Sequence, residues 1–340
     1  MDNNNAEYGK DLMYKKSPKR KINWLGLALM LILIGGIMAG GAWLTGARGA
    51  SLRWDGRPVF FATPVGPGET HNVTVNPQGI NELIVFSSSA RVRIRTNHRS
   101  NDFAIEFEGL PPNYEVSGGM LVVDAKLADV ITGFNLFGGG FGGHAVNVYV
   151  PAGMALDVMV VSSSGRVDVR HPYFGELNVI TSSGRIELER AEAFSGMWLT
   201  ASSGSITAER VTAPFGDFRT SSGRIEISDS RFDNLHVSSS SGRQEIEDVS
   251  WNYLQAGSSS GRITIGDARV DSASGSTRVS ASSGSVNLTM IGRESDFNYD
   301  LRSNSGSIRV NGGRRDRQNI GSRHDITVST TSGSIRLNFD

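Results

Sequence analysis

Thr181-Ser182-Ser183-Gly184-Arg185-Ile186-Glu187-Leu188 is one copy of a motif that recurs through the second half of this 340-residue chain. Each copy has a Ser-Gly dipeptide followed by alternating apolar and polar residues. The steps between successive glycines are 19, 20, 19, 19, 19, 23, 22 and 27 residues, and such a period is typical of stacked structural repeats. These glycines are Gly165, Gly184, Gly204, Gly223, Gly242, Gly261, Gly284, Gly306 and Gly333.

Apolar residues occupy every second position on both sides of the turn, as in Leu177 and Val179 before it and Ile186 and Leu188 after it. This alternation predicts two short strands with one buried face per repeat. We expect glycine at the corner because it adopts positive φ without a steric penalty. A unit of about twenty residues buries its apolar face only against copies of itself. The sequence therefore predicts an all-β, parallel β-solenoid (β-helix) of ~19–23-residue Ser-Ser-Gly repeats.

Three irregularities in the repeat lead to separate expectations. Gln244 stands in an otherwise apolar column, so we expect a local perturbation there. The stretch Ile84 to Ile94 resembles a coil with Ala90 in place of the glycine. A set of large aromatic residues follows successive turns at similar distances and predicts a stacked ladder: Phe174, Phe194, Phe215, Phe232 and Trp251.

Charged residues also follow the repeat. Arginine comes directly after the glycine in several copies, and an acidic residue comes two positions later, as in Arg185 with Glu187 and Arg224 with Glu226. Opposite charges on neighbouring strands attract, so this pattern favours a solvated face that neutralises itself. The alternative is a docking surface for an anionic polymer.

Composition excludes several functions. The formal net charge is zero, which does not favour nucleic acid as a partner, and the absence of cysteine excludes disulfides and thiolate chemistry. The six histidines have no metal-ligand spacing, and the carboxylates follow the repeat rather than forming a distinct pair. We therefore expect no catalytic, metal or cofactor site, and a protein that is not an enzyme.

The N-terminal region has the pattern of a membrane anchor. Residues 1–21 end in a basic cluster, and the 21 residues from Trp24 to Leu44 carry no charge. We expect a basic cytoplasmic tail (1–21), a transmembrane helix (22–45), a linker (46–80) and a solenoid domain (81–340, with regular coils from about 150). The positive-inside rule places the N-terminus inside and the solenoid domain outside a bacterial cytoplasmic membrane. A cleaved signal peptide is the alternative.

Two segments outside the regular pattern are candidates for interaction. The first is rich in glycine and phenylalanine, and the second is a basic insertion near the end of the array. The first is either a hairpin tip or an exposed apolar contact, and the second is either a cap or a contact for anionic polymer or lipid. Their candidate residues are Phe134, Phe137, Phe141, Arg314, Arg315, Arg317 and Arg323.

The stretch Val146-Asn147-Val148-Tyr149-Val150-Pro151, followed by the recurring Ser-Ser-Gly motif, resembles the bacterial putative-adhesin family of β-strand-repeat proteins, a domain family of unknown function. The resemblance covers residues 80 to 340 and implies a parallel β-solenoid in the cell envelope, without catalytic residues. We expect a membrane-anchored binding or adhesion module whose partner is an envelope glycopolymer or a protein. The alternatives are a self-assembling envelope scaffold and an accessory component of envelope-stress sensing.

Overall fold

The computed structural model describes residues 51–54, 58–62, 70–110, 112–125, 130–132, 144–272, 274–319, 321 and 323–340, with side chains throughout except in 51–62 and 130–132. The expected tail (1–21), the expected transmembrane helix (22–45) and the three phenylalanines Phe134, Phe137 and Phe141 lie outside these residues. Within the described ranges, no helix is long and apolar enough to cross a membrane.

The chain divides into two compact units, Met1–Pro64 with Ile131–Gly139, and Val65–Val130 with Gly140–Asp340. A three-stranded sheet has the order β2-β1-β9, in which β1 and β2 are antiparallel. Its strands are β1 (Ser51–Trp54), β2 (Pro58–Ala62) and β9 (Val130–Thr132).

In the described residues of the second unit, strands β3 to β8 and β10 to β25 belong to one hydrogen-bonded array, and Glu294–Asp296 form a 3-10 helix. Its first strands are β3 (Thr70–Val75), β4 (Glu82–Ser87), β5 (Arg91–Asn97), β6 (Phe103–Glu108), β7 (Tyr114–Ser117), β8 (Met120–Ala125), β10 (Ala145–Pro151), β11 (Leu156–Ser162), β12 (Val167–Arg170) and β13 (Tyr173–Thr181). The later strands are β14 (Ile186–Ala201), β15 (Ile206–Thr220), β16 (Ile225–Ser239), β17 (Gln244–Ser258), β18 (Ile263–Val270), β19 (Ser276–Ala281), β20 (Val286–Met290), β21 (Phe297–Ser303), β22 (Ile308–Val310), β23 (Arg317–Gln318), β24 (His324–Thr330) and β25 (Ile335–Phe339).

The repeats stack in parallel and in register. In the middle of the array a single strand runs from one Ser-Ser-Gly turn to the next, and Ile206 pairs with Ile225, which pairs with Gln244 and then Ile263. Each column of equivalent apolar residues is buried, and the columns together form one continuous core. The prediction of an all-β stacked-repeat fold is confirmed.

Each coil bends twice between turns, where the alternation of inward and outward residues is interrupted. In β16 the interruptions fall after Ile227 and after Phe232. The first bend has a residue with positive φ (Asp229, 49°), a conformation that aspartate and asparagine tolerate better than most residues. The second bend follows Phe232, where Asp233 and Asn234 are both exposed. The equivalent residues of the first bend are Arg190, Arg210, Asp248 and Asp267, all with positive φ.

The turn glycines are required for a reason other than the expected one. None of the nine, all of which lie in the described part of the chain, has a positive φ. Instead, a Cβ atom on Gly223 would lie less than 3.0 Å from the carbonyl oxygen of Gly204, and the same holds between each turn glycine and the neighbouring coil. Any side chain there would overlap the backbone of the adjacent turn. The expectation of positive φ is therefore wrong, and close backbone stacking selects glycine.

Hydrogen bonds between turns accompany this close approach. The Ser183 N–H donates to the carbonyl of Ser163 (2.8 Å), and Ser222 N–H donates to Ser202 (3.0 Å). Within a turn, the glycine N–H donates to the hydroxyl three residues earlier, as in Gly184 with Thr181 (2.9 Å). The turns therefore continue the ladder of the strands instead of interrupting it.

The expected aromatic ladder forms only in part. Phe174, Phe232 and Trp251, each nine residues after its turn glycine, are fully buried in one column. Phe194 and Phe215 lie ten and eleven residues after theirs, and Ala193 and Ala213 take the buried positions instead. Phe194 lies one residue beyond the buried position, and a shift of one residue reverses the face of a strand. Phe215 lies at the second bend, where the alternation is interrupted, and is only partly buried.

The expected perturbation at Gln244 does not occur in the backbone, because its strand keeps register with both neighbours. The side chain is fully buried, and its Nε2 donates to Ser239 Oγ (2.9 Å) and to the Gly257 carbonyl (2.5 Å). Its Oε1 is buried without a hydrogen-bond partner. The amide thus occupies an isoleucine column with two donated bonds and one buried acceptor left unpaired.

The N-terminal end of the array changes from parallel to antiparallel pairing. The coil with Ala90 in the glycine position stacks on the regular repeats, because β4 pairs with β11 and β5 with β12. Beyond it, β10 pairs in parallel with β5, and then β6 and β3 follow antiparallel. On the other side, β8 pairs in parallel with β4, and β7 pairs antiparallel with β8. Residues 46–80, expected as a linker, thus contain β3, which takes its hydrogen bonds from β6.

At the C-terminal end the spatial order of coils differs from the sequence order. The last strands, β24 and β25, pair with β19 and β20 on one side and with β21 and β22 on the other. Gly333 therefore stacks on Gly284, and Gly306 stacks on Gly333. The coil with Gly306 is outermost, and the end of the chain is inserted inside the array.

Substitution of a turn glycine is expected to destabilise the array strongly. Gly223→Ala places a methyl group against the Gly204 carbonyl, so the free energy of unfolding should fall by about 1–3 kcal/mol or more. Gly266→Ala is the matched control, because its Cβ would meet only Glu247 Cγ at an ordinary 3.7 Å. Urea unfolding of both variants checks this. Equal stability of the two would contradict the stacking requirement.

Candidate binding surface

The four arginines of the basic insertion lie on the surface at the C-terminal end of the array, and all are exposed. Arg315 donates to Glu294 (3.2 Å), which also accepts bonds from Tyr299 (2.8 Å) and Asn311 (3.0 Å). Burial and the bond to Glu294 raise the pKa of Tyr299 to about 12. These contacts tie the insertion to the outermost coil. They favour a surface cap, because Glu294 holds the insertion against neighbouring residues of the array.

The two charged columns neutralise each other. Arg166 pairs with Glu187, Arg224 pairs with Glu226 (2.8 Å), and Arg243 pairs with Glu245 (3.2 Å). At the N-terminal end Arg95 bonds to Asp168 (2.6 Å), which Arg170 also contacts (3.3 Å). Burial alone would raise the pKa of Asp168, but these bonds outweigh it and hold the pKa low. Most of these arginine charges are thus already compensated.

Two buried histidines have structural partners. His171 Nε2 donates to the Met154 carbonyl (2.8 Å), and Thr96 supplies the partner of its Nδ1 (3.1 Å). His324 Nδ1 donates to the Ser272 carbonyl (3.1 Å), and its Nε2 accepts from Thr277 (2.8 Å). A carbonyl can only accept, so these contacts fix one neutral tautomer in each case. Burial lowers the pKa of both rings.

No grouping of three or more histidine or acidic side chains suited to a metal ion occurs in the ranges that the structure describes. The histidines and carboxylates outlined above are satisfied by neighbouring residues of the array.

The most distinctive part of the surface is a group of aromatic side chains around the second bend, which we name the bend surface. It extends over several coils, from β13 to β17. Its aromatic members are Tyr173, Phe194, Trp198, Phe215 and Tyr253. Three of them are well exposed: Tyr173 at 39%, Phe194 at 55% and Tyr253 at 49%.

The aromatic rings form two pairs. Tyr173 and Phe194 are stacked nearly parallel, with ring centroids 6.4 Å apart and planes 10° apart. Trp198 and Phe215 are tilted by 37° with centroids 5.5 Å apart. Trp198 lies over Gly196, where a Cβ atom would come within 2.7 Å of the indole ring. The absence of a side chain at Gly196 thus allows Trp198 to lie flat against the sheet.

A shallow groove adjoins the exposed ring of Phe194. Its volume is about 230 Å³. One wall is apolar, formed by Ala193, Phe194, Ala213 and Pro214, and the polar lining is Glu192, Thr212, Arg231 and Asp233. Arg231 bonds to Asp271 (3.3 Å), and Asn252 donates to Asp233 (3.3 Å). The groove thus combines an aromatic wall with hydrogen-bonding groups held by neighbours.

A polar network lies next to the Trp198–Phe215 pair. Asp217, in register with Trp198, accepts two bonds from Arg219 (2.7 and 2.6 Å). His236 Nδ1 lies 3.3 Å from the same carboxylate. Asp217 points outward yet is only 7% exposed, so its carboxylate is held in place by the groups around it. Oriented polar groups beside flat aromatic rings are typical of ligand-binding surfaces.

The described strands define an all-β protein of stacked repeats. The chain belongs to the Toastrack DUF4097 family, which matches residues 80–338 and is a domain family of unknown function. None of the curated proteins compared matches the chain.

Several solved bacterial structures are similar to this chain at low sequence identity. One from Parabacteroides merdae, called a putative adhesin, is 12% identical over 80% of this chain and 96% of that one, with a TM-score of 0.45. A Bacteroides fragilis putative adhesin is 12% identical over 81% and 98% (TM-score 0.42). A Parabacteroides distasonis putative lipid binding protein is 13% identical over 81% and 97% (TM-score 0.39).

Sequence reasoning missed the bend surface because it placed Phe194 and Phe215 in one stacked ladder with Phe174, Phe232 and Trp251. Their exact distance from the turn was the available signal, since only the ninth position after the glycine is buried at this point. Trp198 and Tyr253 occupy outward positions of the period-2 pattern and were not singled out. The Arg314 group was found in sequence: Arg314 and Arg315 precede β23, Arg317 begins that strand, and Arg323 comes directly before β24.

The two buried histidines predict a loss of stability in mild acid. Their lowered pKa means that below the ordinary value of 6.5 the unfolded chain binds protons that the folded chain does not. The free energy of unfolding should therefore decrease between pH 7.5 and 5.5, by up to about 1.4 kcal/mol per histidine per pH unit below that value. Urea unfolding at several pH values checks this. In His324→Asn the slope should be shallower, and an unchanged slope would contradict this assignment.

Proposed function

We propose that this protein is a non-catalytic binding or adhesion module of the bacterial cell envelope, held outside the cytoplasmic membrane by residues 22–45. The observation that carries the proposal is the bend surface. Clusters of exposed aromatic side chains usually mark contact with a partner, because exposing apolar surface to water is unfavourable and binding removes that surface from water. A ladder of parallel strands provides a rigid support on which such a surface keeps its geometry.

Two further observations support this proposal. The uncharged stretch from Trp24 to Leu44 has the length and flanking charges of an anchor with the N-terminus inside. The family has no assigned activity, and the chain's titratable groups described above are engaged in structural contacts. A binding role requires neither a catalytic group nor a cofactor.

A self-assembling scaffold is less well supported. End-to-end growth would require the outer coil with Gly306 to pair with the opposite end of another molecule. That opposite end terminates in the antiparallel strands β3 and β7, whereas the array grows by parallel pairing. At the Gly306 end, β23 pairs antiparallel with β21 and covers part of the edge. The two ends are therefore poorly matched to each other.

Location and binding can be tested together with the full chain expressed in a bacterial host. We expect it in the membrane fraction, with the C-terminal domain digested by protease added to spheroplasts. The purified chain, held in lipid nanodiscs, should sediment with isolated cell envelopes. Protection from external protease, or a chain that stays in the supernatant, would contradict the proposal. Empty nanodiscs serve as the control for lipid-driven sedimentation.

A further inference from the structure

We propose that the bend surface binds an uncharged glycan chain, with sugar rings packed against Phe194 and Trp198. This inference rests on the proposed binding function and assigns it a surface and a ligand class. Three properties of the surface support this ligand class: the geometry of its rings, its local charge, and its extension over several coils.

The aromatic rings offer faces of a kind that suits sugar rings. The carbon-bound hydrogens of a pyranose form an apolar face, and an aromatic ring has a negative face that attracts such hydrogens. Phe194 is the most exposed of these side chains at 55%, and its stacking on Tyr173 holds its orientation. Trp198 is likewise held by Phe215 and by the absence of a side chain at Gly196. A rigid ring loses little conformational entropy when a ligand binds.

Polar groups beside the rings match the hydroxyls of a glycan. The groove next to Phe194 is lined by Glu192, Arg231 and Asp233, which supply both donors and acceptors. Next to Trp198, Arg219 and Asp217 are bonded to each other, and Arg219 remains 53% exposed. Because these partners are already oriented by other residues, hydrogen bonds to a ligand hydroxyl cost little rearrangement.

Local charge selects between classes of glycan. The charged side chains that line the groove or flank Trp198, together with Asp271 as the partner of Arg231, are four carboxylates and two guanidinium groups: Glu192, Asp217, Asp233, Asp271, Arg219 and Arg231. Both arginines are paired with carboxylates, so the remaining excess is acidic. An acidic excess repels phosphate-, sulfate- and uronate-bearing polymers and tolerates an uncharged one. The surface therefore fits an uncharged glycan better than the polyanions of an envelope.

The surface extends along the array, which favours a chain over a single sugar. Phe215, Asn234 and Tyr253 follow one another in register on three successive strands. Neighbouring strands are about 4.8 Å apart, so Phe215 and Tyr253 are separated by about 10 Å. Contacts repeated at this spacing add up along an extended ligand.

The test uses the full chain in nanodiscs and a matched pair of immobilised probes, dextran and dextran sulfate, together with mannan and chitin oligosaccharides. We expect binding to at least one uncharged probe and none to dextran sulfate. Phe194→Ala should weaken that binding about tenfold, and Phe194→Leu should weaken it too, because the stacking face is lost. Phe194→Trp should retain it.

Tyr114→Ala is the control, since this tyrosine is also exposed (42%) but lies on β7 at the N-terminal end of the array. It should bind as the unaltered chain does. All of these side chains are exposed, and thermal unfolding confirms that each variant remains folded.

Three results would overturn the inference: no binding to any uncharged probe, binding to dextran sulfate alone, or equal binding by Phe194→Ala and the unaltered chain. If envelope sedimentation persists while uncharged probes fail, the ligand class is wrong and the binding function stands. If sedimentation fails as well, the proposed function fails with it.

Discussion

Close contact between successive Ser-Ser-Gly turns is the constraint on which the rest of this structure depends. Each turn glycine lies so near the carbonyl oxygen of its neighbour that a single methyl group would overlap it. The turn amides also bond from coil to coil, as Ser203 does to Ser182 (2.8 Å). Because the turns stack as tightly as the strands, every coil is held in one register, and the apolar columns of the core follow from that register.

Much of the fold could be predicted from the period and the alternation of apolar residues. The columns through Ile186 and Leu188 are buried as expected, and the coil at Ala90 stacks as predicted. The physical role of the glycines could not be read from sequence, because positive φ and close packing select the same residue. The spatial order of the last coils could not be predicted from the sequence either. The repeats with Gly306 and Gly333 have the same pattern, so either could stack on Gly284.

The candidate site was harder to predict than the core. A core position is defined by a repeating column, whereas the bend surface consists of residues such as Phe194 and Phe215 that depart from the column by one or two positions. The bends themselves permit this departure, since two consecutive residues face outward there. Core packing therefore does not constrain which residues occur at the bends, and in this chain several of them are aromatic. By contrast, the basic insertion is recognisable in sequence, and its contacts through Glu294 are those of a cap.

Amide hydrogen exchange of the native protein tests the central claim most directly. The N–H groups of Ser183, Ser203, Ser241 and Ser260 each donate to the preceding coil at 2.8 Å. The stacked-turn account predicts that they exchange as slowly as the strand amides of β15 and β16. The hairpin turn at Gly118 and Gly119, which joins β7 to β8, provides the reference for an ordinary surface turn. If the serine amides exchange as fast as the amides of that hairpin, close stacking of the turns does not hold the coils in register, and the account is wrong.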